Sequence, residues 1–237
     1  INGTQALRRV QGTHRWTVTF EDIVQADVLL LVGTNITEAN PITGLQVKEA
    51  VKKRQASLVT VETLQPAIDT LSNITNLALQ HFPTHPAQFG NTVLGVTKAV
   101  LEANLVDAAV AQQAPAFVQR LTSALQGTSW EALEAATGQN RAQWAEAATV
   151  LAKANRLVIL VGNGVLRHPG GDATVTNLLD LLILLGKLDK AGCGLGPLAE
   201  ENNDQGAVEM GAVAEFFPGP APLNDQTGRE RITAVWR

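Results

Sequence analysis

Two apolar runs, Val28-Leu29-Leu30-Leu31-Val32 and Leu157-Val158-Ile159-Leu160-Val161, each close in a glycine, Gly33 and Gly162. Nothing else in the chain constrains its fold as tightly. A strand without polar alternation is buried on both faces, which occurs almost only in parallel sheets covered by helices on both sides. Between the runs, Pro41 opens a helical pattern in which Ile42, Leu45, Val47, Ala50 and Val51 recur among polar residues, ending in Lys52-Lys53-Arg54. Proline suits a first helical turn, and cations suit the negative end of the helix dipole. A further apolar stretch, Ser57 to Glu62, completes strand, helix, strand within 36 residues. That is a right-handed βαβ unit. The expected fold is therefore α/β: a Rossmann-like, three-layer parallel sheet with strands at 27–33, 57–62 and 157–161.

Residues 63–90 are broken by Pro66, Pro83, Pro86 and Gly90 and read as loops around a short element at 76–82. Helical patterning covers 91–104, 115–125, 129–137 and 140–154, the last with Asn140 as N-cap. A nearly all-apolar helix is expected over 174–185. Beyond it the glycines 192, 194 and 196 read as a turn, and Pro218–Pro222 as a connection leading elsewhere. The expected division is 1–202 as the Rossmann-like domain and 203–237 as a link into a neighbour. The start, Ile1-Asn2-Gly3-Thr4, reads as the cut edge of an excised domain.

Composition removes several functions. Eighteen Lys and Arg against 22 Asp and Glu leave a net charge of −4, without the basic excess that grips nucleic acid or an anionic membrane. Aromatics are 4%, with no tyrosine, which is poor material for a base-stacking surface. Cys193 is the single cysteine, so the chain alone forms no disulfide, no Cys-rich zinc site and no Cys-ligated iron–sulfur cluster. His81-x-x-x-His85 is interrupted by Pro83 and reads as a pair of loop histidines rather than metal ligands. The longest apolar stretch, 178–185, is too short to span a bilayer, which needs about 20 residues. A soluble cytoplasmic domain is expected, without bound metal and without catalytic residues of its own.

In open α/β sheets ligands sit at the carboxyl ends of the strands, where glycines let a backbone approach a phosphate. Gly33, Asn35, Gly162 and Gly164 fall there, and Glu62 ends the second strand where an acid can accept a ribose hydroxyl. These residues are the candidate nucleotide-shaped crevice. The plain alternative, glycines serving only turns, stands beside it, because no GxGxxG is present.

The order of further motifs adds a family resemblance. Glu21-Asp22-Ile23, Asp27 to Asn35 and Ala39-Asn40-Pro41 resemble "DIE-ADVLLLIGSNPTEAHP" of the molybdopterin oxidoreductase family. Leu151 to Ala154 with Val161 to Val165 and His168 is similar to "YAxA…GMGVTQH", and Leu184 to Leu188 to "LLTGNIG". Asn202 to Gly211 is similar to "QNNVQGACDMG" of formate-dehydrogenase-like members. The resemblance implies a domain that cradles one limb of molybdopterin guanine dinucleotide and adds Asn202 to the candidate residues. It also implies that the iron–sulfur and catalytic Cys or selenocysteine segments lie upstream.

Departures from the family pattern bear on function. "VIDPR" is here Thr60-Val61-Glu62-Thr63-Leu64, without the arginine, and "RPGTD" has become His81-Phe82-Pro83-Thr84. "PLRGQNN" is Pro197-Leu198-Ala199-Glu200-Glu201-Asn202-Asn203, with two carboxylates where a dinucleotide would bring negative charge. The leading expectation is a structural and interaction domain. It would belong to the large iron–sulfur subunit of a bacterial NADH:quinone oxidoreductase (complex I), with a degenerate groove and other respiratory subunits as partners. That places it in the cytoplasm, peripheral to the inner membrane. The alternative is the cofactor-binding domain of a formate-dehydrogenase-like molybdenum or tungsten oxidoreductase; a third is a free-standing nucleotide-binding module. The degenerate groove implies guanine nucleotide binding no tighter than about millimolar, roughly −4 kcal/mol.

Overall fold

The computed structural model describes residues 17–63, 74–198, 203, 206, 207, 210, 212, 216, 217 and 221–236. The chain divides into two compact units after Leu198.

The first unit is built on five parallel strands: β1 (Val28–Val32), β2 (Ser57–Thr63), β3 (Gln80–Thr84), β4 (Leu157–Gly162) and β5 (Gly194–Leu198). Their order is β3-β2-β1-β4-β5. Val28 pairs with Ser57 on one side and Leu157 on the other, so the three expected strands lie side by side in one parallel register. Every residue of β1 and β4 is buried, which is what their unbroken apolar runs require. The chain runs leftward from β1 to β2 and β3, then returns to β4. The strand order reverses between β1 and β4.

Two of the five strands were not expected. β3 overlaps the short element expected at 76–82, whose type was left open, and β5 occupies the region read as a glycine-rich turn. Both are edge strands, where proline and glycine are tolerated because one side of the ladder needs no partner. Pro83 in β3 stands opposite Glu62, and Pro197 in β5 opposite Val161. The Pro83 carbonyl accepts the Gln139 side-chain amide at 2.7 Å.

Helices cover both faces. On one, α1 (Phe20–Val24), α2 (Ile36–Ala39) and α3 (Pro41–Arg54) bury Ile23, Ile36, Val47 and Ala50 against Leu29, Leu31, Leu58 and Leu160. The capping box of α1, Thr19 with Asp22, and Pro41 at the start of α3 fix where these helices begin. On the other face lie α4 (Phe89–Glu102), α8 (Arg141–Lys153) and α10 (Gly171–Leu184), which pack Val93, Trp144, Leu151 and Leu178 on Leu30, Val61 and Ile159. Each fully buried side chain of this size contributes roughly 1.5–3 kcal/mol. Three helices, α5 (Ala108–Gln113), α6 (Pro115–Gln126) and α7 (Trp130–Thr137), connect α4 to α8, and the short α9 (Asn163–Leu166) follows β4. Helix α10 begins three residues before the expected 174.

The second unit, Ala199–Arg237, contains the antiparallel pair β6 (Phe216–Phe217) and β7 (Ala221–Pro222) and helix α11 (Gln226–Val235), capped by Asp225. The tail read as a connection thus carries regular structure. No helix among the described residues is long and apolar enough to cross a membrane.

Candidate functional site

Register places the candidate residues in one row. Val32 pairs with Val61 and Val161, so Gly33, Glu62 and Gly162 follow at the same level, with Pro83 and Leu198 at the flanks. The row is the carboxyl edge of the sheet, and its centre is the switch point between β1 and β4, where open α/β sheets bind ligands.

The glycines are needed first by the protein itself. Gly33 has φ of +68°, and its N–H donates to Val61 O at 2.8 Å. Its carbonyl accepts the Gly164 N–H at 3.0 Å, tying the two loops together. A Cβ on Gly162 would collide with the Thr34 side chain and stand 2.5 Å from Gly33 O. One on Gly164 would stand 2.8 Å from the same oxygen. Close approach of two backbones, rather than a phosphate, is what excludes a side chain at these positions.

The polar groups of the same edge tell a different story. Thr34 Oγ1, Asn35 Oδ1, Thr37 Oγ1, Glu62 Oε1 and Asn163 Nδ2 are buried without a hydrogen-bond partner. Each such group costs about 1–3 kcal/mol, and native structures keep them where a ligand, ion or water completes the pairing. Donors (the two hydroxyls and the Asn163 amide) suit phosphate oxygens, while acceptors (Asn35 Oδ1 and Glu62 Oε1) suit ribose hydroxyls or base N–H groups. The residues present therefore fit a nucleotide limb.

Glu62 is 9% exposed. Its Oε2 accepts the Thr75 hydroxyl at 2.7 Å, while Oε1 is free. Burial raises its pKa above the ordinary glutamate value, and the Thr75 hydrogen bond partly opposes that. Sequence reasoning found Glu62 as a strand-ending acid but passed over Thr75, which sits in a single 3-10 turn (Thr75–Leu77) with no pattern to mark it. It also undervalued Thr34, Thr37 and Asn163. Asn202, Glu200, Glu201 and Leu64 lie outside the described residues.

The remaining candidates are structural. His81 Nδ1 is 2.8 Å from Thr60 Oγ1, and burial lowers the His81 pKa. His85 Nδ1 accepts the Ala87 N–H and so caps the turn that follows. The Cys193 thiol is buried, donating to Asn155 O and accepting the Leu157 N–H. Among the described residues no three His, Cys, Asp or Glu side chains gather as metal ligands would.

Known proteins resemble this chain along nearly its whole length. Formate dehydrogenase H of Escherichia coli is 27% identical over 237 residues, covering 97% of this chain and 31% of that protein. The assimilatory nitrate reductase catalytic subunit of Bacillus subtilis is 25% identical, covering 93% and 30%. The chain thus spans about a third of the length of these relatives. Their character favours the formate-dehydrogenase-like reading over the complex I reading. Acetylene hydratase from Pelobacter acetylenicus has the same fold, with a TM-score of 0.68 at 16% identity, over 81% of this chain and 25% of that one. The molybdopterin oxidoreductase family matches residues 5–236, and with the motif order and the sheet in agreement, the chain belongs to that family.

Proposed function

We infer that this chain is the domain of a formate-dehydrogenase-like molybdopterin oxidoreductase that holds one guanine nucleotide limb of the pterin cofactor. The observation that carries this reading is the set of five unpaired buried polar atoms at the switch-point edge. When bound, the cofactor supplies the metal-centred redox chemistry. The residues of this chain bind and orient. Thr34, Thr37 and Asn163 present donors to phosphate oxygens, Glu62 and Asn35 accept from ribose or base, and the paired loops at Gly33 and Gly164 hold them in place. The missing arginine after β2 leaves the phosphate to neutral donors, so the affinity for an isolated nucleotide is low.

The test is a titration of the isotopically labelled full chain with GMP, followed by amide chemical shifts. Shifts should appear first at Gly33, Thr34 and Asn163, with a Kd on the order of 1 mM. Thr34→Val together with Asn163→Leu should weaken binding about tenfold. Shifts scattered elsewhere, or none at this edge, would sink the reading.

A further inference from the structure

Glu62 is held asymmetrically. One carboxylate oxygen is fixed by Thr75 at 2.7 Å, and the other is buried with nothing to accept. Beside it stand Gly33, the residue that follows β1, and Pro83, its register partner in β3, neither of which offers a polar side chain. His81, the closest titratable side chain along β3, is engaged with Thr60. Burial raises the Glu62 pKa and the Thr75 hydrogen bond partly opposes it. An acid so placed has one oxygen open to a ligand's donor and, among the described residues, no cation bonded to it.

We propose that Thr75 is a positioning residue that turns Glu62 Oε1 toward a nucleotide donor, and that nucleotide binding at this edge releases the Glu62 proton. The inference rests on the nucleotide-limb reading. Without ligand, burial favours the protonated carboxyl. A ribose O–H or base N–H donated to Oε1 favours the carboxylate, because a hydrogen bond to an ionised acceptor is roughly twice as strong as one to a neutral acceptor. The ligand therefore binds the ionised protein better. Affinity rises with pH through the raised Glu62 pKa and levels off above it.

The experiment is the GMP shift titration of the full chain repeated across pH, on the natural protein and on Glu62→Gln, Thr75→Val and Thr75→Ser. The GMP phosphate titrates in the same range, so the Glu62→Gln profile is the reference. The natural protein should gain about tenfold in affinity from acid to alkaline pH relative to that reference. Thr75→Val removes a bond to the charged form, so the midpoint moves to higher pH; Thr75→Ser restores it. A merely structural role for Thr75 would lower stability without moving the midpoint. The deoxy analogue dGMP and inosine monophosphate, lacking the 2′-hydroxyl and the 2-amino group, tell a ribose donor from a base donor. If GMP binds at this edge with the same pH profile in Glu62→Gln, the inference fails and the nucleotide-limb reading stands. If GMP does not bind there at all, both fall.

Discussion

Replacing Gly162 with alanine tests how tightly the two strand ends are locked. The backbone of Gly162 has φ of −94°, which any residue adopts, so the substitution carries no conformational strain of its own. The added Cβ would lie 2.5 Å from Gly33 O and 3.0 Å from Thr34 Cα. Carbon atoms rest at about 3.5–4.0 Å, so the Gly33–Thr34 backbone must retreat by roughly 1 Å. No rotamer change relieves a clash with main-chain atoms. Overpacking of this kind costs about 1–3 kcal/mol. The retreat also weakens the Gly164 N–H to Gly33 O hydrogen bond, worth about 1 kcal/mol. Stiffening of the unfolded chain returns about 0.4–1 kcal/mol. The net loss is about 2–3 kcal/mol, a fall in Tm of roughly 5–10 °C for a chain of this size. Thermal unfolding of Gly162→Ala beside Gly127→Ala reads it directly. Gly127 has open space around its Cβ position, so its substitution should be neutral or slightly stabilising. A Gly162→Ala protein melting within about 2 °C of the parent would show that the loops yield freely, and the locking argument would be wrong.

Glu62→Gln should stabilise the unliganded chain increasingly as pH rises. The folded pKa is raised by burial, so above the ordinary glutamate value near about 4.3 the native state of the parent loses stability until its own raised pKa is passed, whereas glutamine does not titrate. Urea midpoints at about pH 4 and about pH 8 should diverge in that direction; a constant gap contradicts it. Lys98→Met should cost about 2 kcal/mol, since Nζ donates to Leu125 O and Thr128 O at the end of α6 and lies 5.3 Å over the Trp130 ring. Urea unfolding with unchanged slope checks it, and a loss under about 0.5 kcal/mol refutes it. Asp27→Ala should cost about 1–2 kcal/mol, because Asp27 Oδ2 accepts the Asn155 and Arg156 N–H groups that lead into β4. Denaturant midpoints indistinguishable from the parent would show those bonds to be replaced by water.

The sequence by itself determined the central sheet and most of its cover. β1 and β4 were legible because a run without polar alternation permits only burial on both faces. α4 and α10 were legible from apolar spacing alone, α3 also from Pro41 and its terminal cations, and α8 also from the Asn140 cap. Local chemistry decides such elements, so local reading finds them. Edge strands β3 and β5 were not legible. Gln80 to Thr84 and Gly194 to Leu198 have no strand pattern of their own, and become strands by pairing with β2 and β4. At the site, Gly33, Gly162, Gly164 and Glu62 could be named from strand ends alone. That the glycines face each other's backbones, and that Thr75 fixes one oxygen of Glu62 and leaves the other empty, was decided only in three dimensions. A strand end is a property of a short segment, whereas a register, a steric contact or a missing hydrogen-bond partner is a property of segments brought together by the fold.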